Sequence, residues 1–163
     1  MAKLITDTPS LNTMRILEGQ GFGIKNELKS SVPVLPPDIT DLDDEDLIRL
    51  FQEINEFTKF VKVQVAAAQI DENNTKKRLD FMESKKSSSY SGTKMTVTAI
   101  KASIALDPEV EKLADEAQAR YDYRKMMEVM LSNLEADMAL VSRELTRRTS
   151  GASFKNRAGK FVV

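Results

Sequence analysis

Between Asp41 and Arg148 the chain holds one glycine, Gly92, and one proline, Pro108. Over a stretch so long, that clearing of helix breakers leaves little but long helices to form. Charged residues make up 30% of the sequence and aromatic residues only 6%, which suits extended helical packing better than a compact core. The apolar residues are spaced accordingly. Leu47, Leu50, Ile54, Phe57 and Val61 recur in steps of three and four, with Ala68 further on. Met127, Leu131, Leu134, Met138, Val141 and Leu145 alternate steps of four and three, the spacing of a coiled-coil seam. These two sets are the expected helix-packing and oligomer interface.

The ends of the helices can be read as well. Asp43 suits an N-cap, Asp46 falls at the third helical position, and Leu42 can pack against Leu47. The first long helix is expected to end near Lys85. Its stripe decays after Ile70, with Thr75 and Arg78 taking seam positions before Leu79 and Met82 resume. Residues 86–94, rich in serine, predict a flexible linker. A short helix is expected over 93–106. Asp107-Pro108-Glu109 then predicts a new helix start, running to about Arg148. At ~1.5 Å per residue the first helix would be roughly 60 Å long, too long to bury its stripe without a partner helix. The two strongest seams would meet if the long helices ran antiparallel.

The expected fold is therefore all-α. Two long helices form an antiparallel coiled-coil hairpin over residues 39–148, with a short intervening helix. An extended N-terminal arm, 1–38, is expected to be partly disordered, with a short helix over 11–18. Its apolar residues, such as Met14 and Phe22, suit an arm that packs on a neighbouring subunit. Residues 149–163 form a basic tail.

Composition also sets what chemistry to expect. With no histidine, the commonest general base and metal ligand is missing. With no cysteine there is no disulfide and no thiolate ligand, which fits a reducing cytoplasm. No phosphate-binding glycine loop is present, and Gly21-Phe22-Gly23 does not follow a strand. Asp71 and Glu72 read as a solvated face rather than a cation site. The methionines near Met126, Met127, Met130 and Met138 read as adaptable core. Enzymatic activity, metals and cofactors are not expected. No apolar run suits a bilayer span, and the first residues lack the pattern of a secretory signal.

The net charge is only −1, but the cations cluster. One candidate patch holds Lys76, Lys77, Arg78, Lys85, Lys86 and Lys94, with Tyr90 as a stacking ring. The other holds Arg143, Arg147, Arg148, Lys155, Arg157 and Lys160, interleaved with Phe154 and Phe161. Cations with sparse aromatics are what sequence-tolerant single-strand binding uses: charge neutralises phosphate and rings stack on bases. An ordinary solvated helix face and a helix C-terminal charge complement remain the alternatives. One protomer carries little basic surface, so an oligomer would be needed to repeat it.

Three features together resemble a known family. They are the two-long-helix plan, the Lys94-Met-Thr-Val97 segment leading into Ala105-Leu-Asp-Pro-Glu-Val110, and the closing Val141-Ser-Arg-Glu-Leu-Thr-Arg-Arg148. Over roughly residues 45–148 the chain is similar to the UvsY-type recombination mediators of T-even bacteriophages. That resemblance implies a ring-forming helical protein of the infected cell's cytoplasm. It would bind single-stranded DNA and assist loading of a RecA-like recombinase. The DNA-contacting positions it implies are Lys85, Lys86 and Lys94, then Lys76, Lys77 and Arg78. The long arm and the basic, glycine-containing tail depart from the family pattern and bear on oligomer size and DNA path. Two other classes fit the same helices: a phage structural or assembly coiled coil (scaffold, neck or tail-associated), and a small adaptor or inhibitor that captures a host protein.

Overall fold

The computed structural model describes residues 8–23 and 32–158, with side chains described to residue 150. Among the described residues the protein is all-helical. Its helices are α1 (Pro9–Gly19), α2 (Asp44–Ser89), α3 (Val97–Ala105) and α4 (Pro108–Ala158), with a 3₁₀ turn at Ile39–Asp41. The two long helices, α2 and α4, pack closely. They contribute to two units. One gathers α1, α2 from residue 63, α3, and α4 up to residue 128; the other gathers the 3₁₀ turn, α2 up to residue 62, and α4 from residue 129. This division cuts across both long helices.

The second unit is closed by apolar side chains. Leu47, Ile54, Phe57 and Val61 of α2 are buried, as are Leu134 and Val141 of α4. Leu50, Leu131, Met138 and Leu145 are half-buried beside them. The start of α2 forms as its sequence dictates. The Asp43 carboxylate accepts from the Asp46 backbone N–H at 2.8 Å, and acidic residues fill the first turn. Lys62 pairs with Glu135 at 2.9 Å and Arg148 with Asp44 at 2.8 Å. Within this unit, then, numbers rise along α2 as they fall along α4.

The first unit is built differently. Its buried positions on α2 are Ala67, Ala68, Glu72 and Thr75, against Val110 and Ala117 of α4 and Ile104 of α3. Here too the pairings run in opposite senses: Glu72 with Arg124, Arg78 with Glu116, and Lys86 with Asp107 and Glu109. The seam does not lapse after Ile70. It continues through Glu72, Thr75, Leu79, Met82 and Lys86, all buried or half-buried, while Arg78 stands outside it. Met127, expected in the apolar seam, is half-buried in this unit.

Several boundaries differ from the sequence expectation. α2 runs on to Ser89, because no proline stops it and serine hydroxyls serve its last carbonyls. Ser88 donates to Ser84 O at 2.9 Å and Ser89 to Lys86 O at 2.6 Å. The chain then turns at Gly92, whose φ of 86° favours glycine. α3 starts later than residue 93, capped by Thr96. α4 starts at Pro108 as expected, with Asp107 capping the Glu109 N–H at 3.0 Å. It continues past Arg148 to Ala158, so the basic segment begins as helix. One glycine at 151 costs a helix only about 1 kcal/mol and does not end it.

α1 is longer than residues 11–18, with Thr8 as its N-cap and Pro9 in its first turn. It docks within its own chain. Both oxygens of the Asp71 carboxylate bind Ser10, one taking the backbone N–H at 3.0 Å and the other the hydroxyl at 2.8 Å. Met14 is buried in the same unit. A carboxylate from α2 thus sits at the positive N-terminus of α1.

Candidate nucleic-acid interface

The cations expected to bind phosphate divide into engaged and free groups. Lys76 Nζ lies 2.6 Å from Glu72 Oε1. Arg124 also binds Glu72, and together with Lys125 it binds Glu128. Lys76, Arg124 and Lys125 approach the Tyr121 ring at 5.6, 5.4 and 5.8 Å, within cation–π range. Glu72 is 1% exposed, so it is not part of a solvated face. The Arg124 hydrogen bond, and then that of Lys76, hold its carboxyl below the usual range against the opposing effect of burial. Arg124 is raised in turn, chiefly by Glu72.

Lys86 is also engaged. Its ammonium bridges Asp107 at 2.7 Å and Glu109 at 3.0 Å, tying the last turns of α2 to the first turn of α4. Its pKa is raised by these hydrogen bonds, Asp107 first, and that of Asp107 is lowered by Lys86. Tyr90 is half-buried in the turn after α2, where its backbone oxygen accepts from the Thr93 hydroxyl at 2.8 Å. Arg78 holds Glu116 only loosely, at 3.8 Å with 64% of its side chain exposed. Lys77, Lys85 and Lys94 are exposed, and none meets a carboxylate among the described residues.

In the second patch Arg147 and Arg148 are engaged internally, while Arg143 is exposed. Arg147 holds Glu144 with two hydrogen bonds of 2.7 Å. Arg148 reaches Glu144 at 2.8 Å, Asp44 at 2.8 Å, and the carbonyls of Leu42, Thr40 and Ile39 at 2.8, 3.1 and 3.4 Å. It is a clamp on the segment entering α2, and its guanidinium is engaged there. Glu144 is 7% exposed, and its hydrogen bonds from Arg147 and then Arg148 bring its pKa down to about 2. Lys155 and Arg157 fall on the last turns of α4, and their side chains lie outside the described residues, as does Lys160.

Sequence reasoning missed two features of this surface. One is the Glu72–Arg124 pair. Glu72 is four residues after Ala68, and Arg124 three before Met127, so both are in step with their seams. Counting register without regard to polarity would have found them. The other is Phe81, 70% exposed on α2 between Lys77 and Lys85.

Among the described residues no group of acidic residues could hold a metal ion, and no helix is long and apolar enough to cross a membrane. Comparison with protein-family models, with curated proteins and with solved structures finds no match.

Proposed function

We propose that the chain is a non-enzymatic, oligomeric single-stranded-DNA-binding protein of the recombination-mediator type, assisting a RecA-like recombinase in an infected cell's cytoplasm. The observation that carries the reading is the free cation set of the first unit. Among the described residues Lys77, Lys85 and Lys94 meet no carboxylate, as is also true of Lys101 and Lys112, while Lys76, Lys86 and Arg124 beside them are paired. Unpaired lysines on a helix surface are free to release counterions when a phosphate arrives. In this reading α2 and α4 form one continuous antiparallel coiled-coil hairpin, and the basic end of α4 supplies a further DNA contact.

Oligomerisation has separate support. In the first unit α4 leaves Tyr123 and Met126 exposed, at 53% and 66%. In the second it exposes Val129 and Met130, at 54% and 39%. Large apolar groups of this kind favour contact with further helices. They also favour the second reading, a phage assembly coiled coil that forms a defined oligomer without DNA affinity.

Solution mass measurement with and without a labelled oligodeoxynucleotide separates the two. The mediator reading expects an oligomer that binds at low salt. Lys77, Lys85 and Lys94 of one protomer would set a salt slope of about −2. A defined oligomer with no DNA affinity at low salt rejects it in favour of the assembly reading.

A further inference from the structure

We infer that Phe81 is a base-stacking platform for single-stranded DNA, with Lys77 and Lys85 holding the phosphates on either side. This rests on the DNA-binding reading above and adds the residue that meets the bases. The ring is not used in the packing of its own helix. The neighbouring seam positions Leu79 and Met82 are half-buried, whereas Phe81 is 70% exposed.

The helix fixes what surrounds it. At about 100° per residue, Lys77 and Lys85 lie within about 40° of the Phe81 direction, roughly 6 Å before and after it along the axis. Arg78 and Ser84 lie within about 60°. The nearest carboxylates in sequence, Asp80 and Glu83, are turned about 100° and 160° away. Among the described residues the strip is therefore one ring between two lysines that meet no carboxylate, with no anion of α2 in it; Glu116 of α4 reaches only Arg78 at its margin.

That chemistry selects the occupant. An apolar helix docking here would meet a single ring among lysines and serines, not a groove. A nucleotide strand offers a π-face for the ring and phosphates for the lysines at once. The bases must be free of a complementary strand, because a ring standing on a helix surface cannot reach the face of a base stacked inside a duplex.

The sequence contains no tryptophan, so Phe81→Trp installs a sole tryptophan, which can be excited apart from the tyrosines. Stacking predicts that its emission is quenched by oligodeoxythymidine and not by an abasic strand of equal length. Phe81→Ala in the full chain should weaken oligodeoxythymidine binding about tenfold at low salt, with helix content and solution mass unchanged. Phe81→Leu should be as weak as Phe81→Ala. Wild-type affinity in Phe81→Ala, or full rescue by Phe81→Leu, overturns the stacking role while leaving the DNA reading intact. Loss of oligomer mass in Phe81→Ala without a change in DNA affinity assigns the ring to self-association and overturns it too. No binding by the wild-type chain at low salt removes both readings together.

Discussion

The two units use the same pair of helices and close them by different means. In the second unit the seam is Leu47, Ile54, Phe57 and Val61 against Leu134 and Val141, all buried. In the first, seam positions also hold Glu72, Thr75 and Lys86, and ion pairs to α4 join the small apolar contacts of Ala67, Ala68, Val110 and Ala117. Apolar burial supplies stability without direction. A buried ion pair adds little net stability, but its charges fix which residue faces which. The contrast suggests a division of labour. The apolar unit holds the helices together, and the polar unit sets their register while presenting free lysines to solvent.

The largest effect should come from the apolar seam. Leu47 is fully buried, and Leu47→Ala should cost about 3 kcal/mol, from lost burial plus the cavity left behind. Urea unfolding measures it. Thr75→Val in the polar seam should shift the same curve much less, since Thr75 already satisfies its hydroxyl on Asp71 O at 2.9 Å. Equal losses at the two sites would erase the distinction between the units.

The next test concerns register. Glu72→Leu or Arg124→Leu alone should destabilise, because each strands charge that the other had compensated. The double change should recover wild-type stability or exceed it, as hydrophobic replacement of buried ion pairs often does. If the pair fixes register, the double variant keeps its melting temperature and loses defined cross-helix distances, read by spin labels on exposed positions of α2 and α4. Unchanged distances would reduce Glu72–Arg124 to a tolerated polar pair.

Acid should act on both units, and Glu144 gives the sign. Its folded pKa of about 2 lies below the ordinary glutamate value of 4.5. The stabilisation from Arg147 and Arg148 is thus complete above pH 4.5 and is lost as pH falls toward 2. Glu72 is shifted in the same direction, chiefly by Arg124. Melting temperature should fall across that window, and Glu144→Gln should flatten part of the fall. An unaltered acid limb in Glu144→Gln would show that the clamp on the entry to α2 does not depend on this carboxylate.

Much of the fold was legible because it is local. Asp43 and Asp107 mark helix starts by their own side chains, and both act there. The apolar steps from Leu47 and Leu131 name most of the buried seam by spacing alone. What the sequence hid depends on partners remote along the chain. Lys86 and Arg148 look like free cations until Asp107, Glu109 and Asp44 are brought to them. Glu72 looks solvated until Arg124, 52 residues later, faces it. The extension of α4 beyond Arg148 has no apolar seam to announce it, since the steps of four and three end at Leu145.

The smallest expected effect lies where α1 joins the polar unit. Asp71 caps Ser10 with both oxygens, and Met14 is the only large apolar side chain of α1 that is buried. Ile16 and Phe22 remain 63% and 60% exposed. Asp71→Ala removes the helix-terminus contact and leaves the Met14 burial, so its cost should be on the order of 1 kcal/mol, similar to loss of a helix cap. The loss should be local. Amide exchange should quicken over Pro9–Gly19 while exchange in the apolar seam around Ile54 stays slow. Quickening in both places would mean that α1 braces the long helices as a whole. No quickening would place its hold on Met14 alone, and Met14→Ala would then release it.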